Sequence, residues 1–157
     1  FEIEDALRLA GQLGADFELI DADVLARADI CANPPDRCYL CKTFIFSTIL
    51  AHMAQDGFDV LADGTNATDD PTNRPGFRAL AELGVVSPLR RAGLSKDAVR
   101  ALSRELGLFT ADKPSFSCLA VHVPEKEPIT AAALEAASES SGAASIMRDR
   151  RRAGGRS

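Results

Sequence analysis

Apolar residues recur at helical spacing in four stretches of the chain. The first stretch ends near Gly14, the second begins beside Cys38 and ends at Gly57, the third stops at Gly84 and the fourth starts at Ser95. Glycine favours the position just after a helix and serine favours the N-cap, so these residues mark helix ends. The pattern therefore predicts four helices.

Short apolar runs alternate with these helices. The runs at residues 17–20, 59–62 and 85–89 have the length and composition of buried strands. Parallel neighbours need crossover helices, so this alternation predicts an α/β fold with a doubly wound, Rossmann-like parallel sheet. The polar turn that begins at Asp63 would then lie at the carboxyl edge of the sheet, where ligands bind in such folds.

The composition changes beyond Pro128. Residues 131–145 are dominated by Ala, Ser and Glu, and residues 148–156 are basic and glycine-rich. We therefore expect a domain at residues 1–128, followed at 129–157 by a weak helix and then a disordered basic tail.

Charge and length narrow the class of protein. The chain has 157 residues, a net charge of -5 and a pI near 5.0, and this acidic balance counts against a general nucleic-acid-binding surface. No stretch approaches the roughly 20 apolar residues of a membrane span, and no basic leader is present, so we expect a cytoplasmic protein. Phe1 is not a start methionine and helical spacing already holds at Ile3, which indicates that the chain begins within a fold.

Four cysteines without a secretory signal favour metal or sulfur chemistry over disulfides. Cys38 and Cys41 form a C-x-x-C motif at a helix start, which by itself fits a structural pair, a redox pair or half of a zinc site. Cys118 follows a proline-bearing loop, with Lys113 five residues earlier. From the residues alone, a reactive thiolate and a small buried thiol are equally open for Cys118.

Six blocks of the sequence, in one order, resemble the LarE sulfur transferases of the PP-loop ATP-pyrophosphatase superfamily. The blocks are residues 33–42, 62–70, 74–76, 87–89, 94–96 and 112–120. Those around Cys38 and Cys118 are specific to LarE. The Ser-Gly-Gly-x-Asp-Ser loop that binds ATP in this superfamily is not in the sequence, so the resemblance implies a PP-loop (adenine nucleotide alpha hydrolase-like) fold without its first strand and ATP loop.

The resemblance also implies an activity. LarE enzymes use ATP and magnesium to adenylate a pyridinium carboxylate mononucleotide and convert it to a thiocarboxylate, in the biosynthesis of the nickel-pincer nucleotide cofactor. Cys118 would be catalytic. In one route Cys38, Cys41 and Cys118 would hold a 4Fe-4S cluster, and in the other Cys118 would give up its own sulfur. We expect these three thiols in one cleft beside the Asp63 loop.

Further binding residues follow from position in the resembling blocks. The implied nucleotide and substrate contacts are Asp63, Thr65, Asn66, Asp70, Arg74 and Lys113. The expected partner is a small-molecule nucleotide, and a homo-oligomer remains open. Residues 121–126 depart from the family, which has a Ser-Arg-Ile-Pro-Tyr-Gly type of run there, so an expected arginine is missing.

Two other functions remain open at this stage. A PP-loop tRNA thiolase would share the three cysteines, but it should show a basic RNA-binding surface, which the acidic balance does not favour. A non-catalytic or degenerate domain could bind metal through Cys38 and Cys41, or simply fold. The fragment is also expected to be inactive alone.

Overall fold

The structure, a computed structural model, describes residues 2–72 and 74–140, and helices are its main elements. The helices are α1 (Glu2–Leu13), α2 (Ala28–Cys31), α3 (Arg37–Asp56), α4 (Gly76–Glu82), α5 (Pro88–Arg91), α6 (Lys96–Glu105) and α7 (Ala131–Ser140). Short 3-10 turns cover Val24–Ala26 and Leu119–His122. The predicted basic tail lies outside the described residues.

The chain divides into two compact units. The large unit comprises residues 2–22 and 36–113, and the described part of the small unit comprises residues 23–35 and 114–140. Each unit has its own small set of buried residues and is described by itself. The expected domain division at residue 128 stays a prediction.

Local signals located the main helix ends correctly. Gly57 follows α3 with φ 79°, a left-handed conformation that glycine adopts without steric cost, and its N–H bonds to the Met53 carbonyl. Ser95 caps α6, because its side chain accepts a hydrogen bond of 3.2 Å from the Ala98 N–H. The predicted positions of these two ends are confirmed.

The predicted Rossmann-like parallel sheet, and with it the PP-loop α/β fold, is wrong. Between residues 2 and 140, Asn73 aside, the β pairing is one isolated parallel bridge that joins Ala62 to Val86. Its hydrogen bonds run from Asp63 N to Val86 O and from Val86 N to Leu61 O, both at 2.9 Å. A single bridge does not make a sheet, so the described architecture is helical.

The predicted strands fail for two physical reasons. A strand needs a neighbour that bonds its backbone and covers its apolar face. Leu19 and Val60, in the first two runs, keep 63% and 67% of their surface exposed. In the third run Pro88 is the first residue of α5, since proline has no N–H for a ladder and its fixed φ suits the first helical turn.

The core of the large unit lies where α3 packs on α4. Ala79 and Leu80 of α4 are 0% and 4% exposed. The same two helices are joined at their surface, where the Tyr39 hydroxyl donates a 2.6 Å hydrogen bond to Glu82 and the Arg78 guanidinium stacks 3.7 Å from the Tyr39 ring centroid. These contacts hold the cysteine-bearing start of α3 against α4.

The small unit buries a few residues from segments far apart in sequence. The buried apolar side chains are Ile30, Val123, Ile129 and Ala137. A backbone bond of 2.8 Å from Ile129 N to Cys31 O ties α2 to the segment before α7, and α7 packs on the 3-10 turn Leu119–His122. In the described parts of the chain, no helix has both the length and the apolarity to cross a membrane.

We expect Leu80→Ala to lower the free energy of unfolding by about 2 to 5 kcal/mol, because it removes a buried side chain from the α3–α4 contact and leaves a cavity. Urea denaturation followed by circular dichroism measures this loss. Leu106→Ala is the control, since Leu106 is 71% exposed and should cost less than about 0.5 kcal/mol. Equal losses in the two variants would contradict the described core.

Candidate functional site

The Asp63 carboxylate is the centre of a hydrogen-bond network in the large unit. Its Oδ1 accepts bonds from the Thr65 N–H at 3.2 Å and the Ser87 hydroxyl at 2.7 Å, and its Oδ2 accepts one from the Thr65 hydroxyl at 2.5 Å. Ser87 follows Val86, the partner of Ala62 in the bridge. One carboxylate therefore joins the 62–65 loop to the start of α5.

These contacts keep Asp63 ionised. Partial burial is the largest single influence on its pKa and acts to raise it. The hydrogen bonds from Thr65 and Ser87 and the positive field of Lys42 oppose burial, and together they hold the pKa below its ordinary value of 3.8. The site thus carries a fixed negative charge near a lysine.

Asn66 and Asp70 cap successive turns of the same loop. The Asn66 Oδ1 accepts bonds from the N–H and the hydroxyl of Thr68, at 2.9 and 2.5 Å. Asp70 does the same for Thr72, and these two bonds lower the pKa of its exposed carboxyl. Both predicted contact residues therefore stabilise the turns of the loop. In Asn66 the side-chain oxygen makes the contacts with Thr68, and the amide nitrogen does not take part in them.

Arg74 and Lys113, the two cationic side chains among the predicted nucleotide and substrate contacts, differ in their surroundings. The Arg74 side chain is 64% exposed and touches Asp69 only at 3.4 Å. Lys113 is mostly buried, with its ammonium 2.9 Å from the Asp5 carboxylate. Arg74 can accept a new anionic partner with little rearrangement, whereas a phosphate at Lys113 would compete with Asp5.

Sequence reasoning gave no role to Lys42, which the structure places beside the site. A Cβ on Gly76 would lie only 2.8 Å from the Lys42 Cδ, so the bare glycine lets α4 begin against this side chain. The Lys42 ammonium is 5.5 Å from the Phe77 ring centroid and contributes to the lowered pKa of Asp63. The signal was present in the sequence, since Lys42 directly follows Cys41 and Gly76 closes the Arg-Pro-Gly block.

Cys38 and Cys41 lie in the first turns of α3, at helical positions three residues apart. The Cys38 thiol is exposed and lies 3.4 Å from an Arg37 guanidinium nitrogen, whereas Cys41 is partly buried. Positions i and i+3 share one helix face, so the two thiols belong to the same side of α3. Cys38 also neighbours the Lys42 contact, because its carbonyl oxygen is 3.5 Å from the Cβ position at Gly76.

Cys118 belongs to the small unit, in a segment that we call the Cys118 turn (residues 117–123). It caps the 3-10 turn Leu119–His122, where the Val121 N–H donates to its carbonyl at 3.1 Å, and it is exposed. The Ser117 Oγ and the His122 Nε2 on either side of it are 3.3 Å apart. An exposed thiol in a defined turn is available to a substrate, unlike the buried thiol that the sequence left open.

The large unit thus brings Asp63, Thr65, Ser87 and Lys42 together, while Cys118 lies in the other unit. Among the residues that the structure describes, no three Cys, His, Asp or Glu side chains form a group that could hold a metal ion. The cleft that unites the three thiols, and the cluster, stay predictions.

Comparison with known proteins identifies relatives of the chain. No protein-family profile matches the chain. It is 33% identical over 129 residues to the pyridinium-3,5-bisthiocarboxylic acid mononucleotide synthase of Lactiplantibacillus plantarum, a match that covers 82% of this chain and 47% of the synthase. The chain is related to this synthase. The similarity supports the resemblance to LarE found in the motifs.

Two further relatives are uncharacterized proteins. One, from Synechocystis sp., is 37% identical over 134 residues, covering 85% of this chain and 50% of the relative. The other, from Methanocaldococcus jannaschii, is 35% identical over 79 residues, covering 50% of this chain and 31% of the relative. The chain spans about half the length, or less, of the curated relatives that it matches.

We expect Ser87→Ala to lower the free energy of unfolding by about 1 kcal/mol at neutral pH, because the ionised Asp63 loses a donor in a half-exposed setting. The pKa of Asp63 is lowered in the folded chain, so the cost is fully present above the unfolded value near 3.8 and shrinks as pH falls through the folded pKa. Urea denaturation at several pH values measures this trend.

The control is Thr72→Ala, which removes an equivalent donor from the exposed carboxylate of Asp70. It should cost less than Ser87→Ala at neutral pH, because water replaces the lost bond. A Ser87→Ala cost that stays constant or grows toward low pH would show that Asp63 is not held in its ionised form.

Proposed function

We propose that the chain is part of a LarE-type, ATP-dependent sulfur transferase that converts a pyridinium carboxylate mononucleotide to a thiocarboxylate, in nickel-pincer nucleotide biosynthesis. The observation that carries this proposal is the 33% identity to the named synthase over 82% of the chain. The matching blocks around Cys38 and Cys118 support it. A PP-loop tRNA thiolase and a non-catalytic metal-binding domain are the alternatives that the test below separates.

The proposed reaction begins with activation of the substrate. A carboxylate is a poor electrophile, because its negative charge repels a nucleophile. Transfer of AMP from ATP to a carboxylate oxygen, with release of pyrophosphate, gives an acyl adenylate in which AMP can leave with its bonding electrons. Magnesium would offset phosphate charge in this step. Arg74 supports the assignment, since its exposed guanidinium can bind a phosphate.

The Asp63 loop would position the substrate. Its carboxylate is already occupied by three donors from Thr65 and Ser87, so its role is to fix the loop rather than to exchange protons. Asn66 would offer its amide nitrogen to the nucleotide, and Lys42 would place a positive charge beside the anionic substrate. A prepared loop lowers the entropic cost of binding in a reactive geometry.

Cys118 would then supply or pass on the sulfur. Its thiolate attacks the acyl carbon, a C–S bond forms and AMP leaves with the electron pair. In the sacrificial route, a base removes the Cα proton of Cys118, a Cα=Cβ double bond forms and the Cβ–S bond breaks. The thiocarboxylate leaves with the sulfur, and residue 118 becomes dehydroalanine.

The alternative route uses a 4Fe-4S cluster as the carrier of a transferable sulfide. Cys38 and Cys41, on one face of α3, would provide two thiolates, and Cys118 would provide the third. When bound, the cluster would supply a transferable sulfide, since three protein thiolates would not occupy all four of its irons. Thiolate is the ligand type that such clusters require, so the residue types suit the group, while the described residues contain no assembled set of three ligands.

In the full-length transferase of which we propose that this chain is part, we expect Cys118→Ala to abolish thiocarboxylate formation while pyrophosphate release from ATP and the substrate continues, because only the second step needs the thiol. Mass spectrometry of the nucleotide product and a pyrophosphate assay measure the two steps. The control is Cys31→Ala, since the Cys31 thiol only contacts backbone carbonyls of Val24 and Leu25 at 3.6 Å and should be dispensable. Full thiocarboxylate yield from Cys118→Ala would contradict the proposal, and thiolation of tRNA instead would favour the thiolase.

The sulfur route is decided by metal and mass analysis of anaerobically purified full-length protein. If the cluster route operates, the protein contains iron and sulfide and loses both in Cys38→Ala and in Cys118→Ala. If the sacrificial route operates, metal-free protein loses the mass of one hydrogen sulfide, at residue 118, after a single turnover. An active protein that shows neither signature would contradict both forms of the proposal.

A further inference from the structure

Asn33 is the most completely enclosed polar side chain among the described residues of the small unit. It is 1% exposed and adopts φ 54°, a left-handed conformation that asparagine tolerates better than most residues. Proline occupies both of the next two positions, a pattern that is typical of a turn. Burying an amide costs free energy unless its polar atoms form hydrogen bonds, so the partners of the Asn33 side chain show what it does in the fold.

The Asn33 side-chain amide donates hydrogen bonds to a segment that is distant in the sequence. Its Nδ2 donates to the carbonyl of Pro124 at 2.8 Å and to that of Glu127 at 3.1 Å, and Val123 O lies at 3.5 Å. An NH₂ group has two hydrogens, so the two shorter contacts use them and the third is weak or shared. The Asn33 carbonyl in turn accepts a bond from Lys126 N at 3.2 Å.

These hydrogen bonds hold the segment immediately after the Cys118 turn in place. Val123 ends that turn, with its N–H 3.4 Å from the Ala120 carbonyl, and its side chain is buried. Cys118 itself is exposed, and the 3-10 turn that follows it packs against α7. Asn33 and the buried Val123 anchor the far end of this turn.

We infer that Asn33 is a positioning residue for Cys118: its side-chain amide fixes the exit of the Cys118 turn and so holds the thiol where sulfur transfer needs it. This inference rests on the proposed function of Cys118. A reacting atom that is displaced by about 1 Å can slow a reaction by roughly a hundredfold, so a clamp several residues away can matter for the rate.

The test compares two variants of Asn33. Asn33→Gly keeps the positive φ at no steric cost but removes the amide, and Asn33→Asp keeps the shape but turns a carboxylate toward carbonyl oxygens. The chain has only two histidines, which makes imidazole signals in NMR spectra simple reporters. His122 lies in the Cys118 turn and reports on it, while His52 lies on α3 in the large unit and reports on general folding.

In this 157-residue chain, Asn33→Gly should change the His122 signal and leave the His52 signal unchanged. In the full-length protein, the same variant should slow sulfur transfer roughly tenfold to a hundredfold and leave pyrophosphate release unaffected. A merely destabilising change would not divide the two reaction steps in this way. Gln12→Ala is the matched control, since it removes an amide-to-carbonyl bond of 3.0 Å to Gly107 and should move neither His122 nor the transfer rate.

The inference is overturned if His122 keeps its wild-type signal in Asn33→Gly, or if that signal moves while transfer stays at the wild-type rate. Asn33→Asp must disturb His122 at least as strongly, and if it fails to fold, Asn33→Gly decides alone. Failure of the proposed function looks different. In that case Cys118→Ala would retain sulfur transfer, and the His122 signal would still show whether Asn33 fixes the turn.

Discussion

The candidate site depends on one ionised carboxylate that binds two parts of the chain. Asp63 stands directly after the bridge residue Ala62, and it accepts bonds both from Thr65 in its own loop and from Ser87 at the start of α5. The negative charge makes each of these bonds stronger than its neutral equivalent. The described chain has a single bridge at this point instead of a sheet. The Asp63 carboxylate therefore makes connections between the 62–65 loop and the start of α5 that backbone hydrogen bonds would make in a sheet.

Lys42 adds the opposite charge and links this network to the cysteine-bearing end of α3. Its close approach uses the glycine at residue 76, since a Cβ there would lie 2.8 Å from the Lys42 Cδ and the lysine side chain would have to shift. In the small unit, too, one side chain makes several contacts, because the Asn33 amide donates hydrogen bonds to two carbonyls of the segment that follows the Cys118 turn. Both proposed functional regions are therefore positioned by single polar side chains.

Features that depend on neighbouring residues were predictable from the sequence. Gly57 and Ser95 end and begin helices through conformations and bonds within a few residues, so their signals are local. The apolar run at 17–20 was misleading, because strand formation depends on a partner that no local pattern specifies. Ser87 was misread differently, since the proline after it favours a helix start over the strand that the apolar run suggested.

The sequence predicted only part of the candidate site, because the other part depends on contacts between residues that are distant in the sequence. The motif blocks identified Asp63, Thr65 and Cys118 as residues of interest, but the roles of Ser87, Lys42 and Asn33 come from contacts across 24 to 94 positions of sequence or from a close helix approach.

The most direct test of the carboxylate's central place is an NMR titration of the Asp63 carboxyl carbon, assigned with Asp63→Asn. The account predicts a midpoint below 3.8, and a midpoint at or above that value would contradict it.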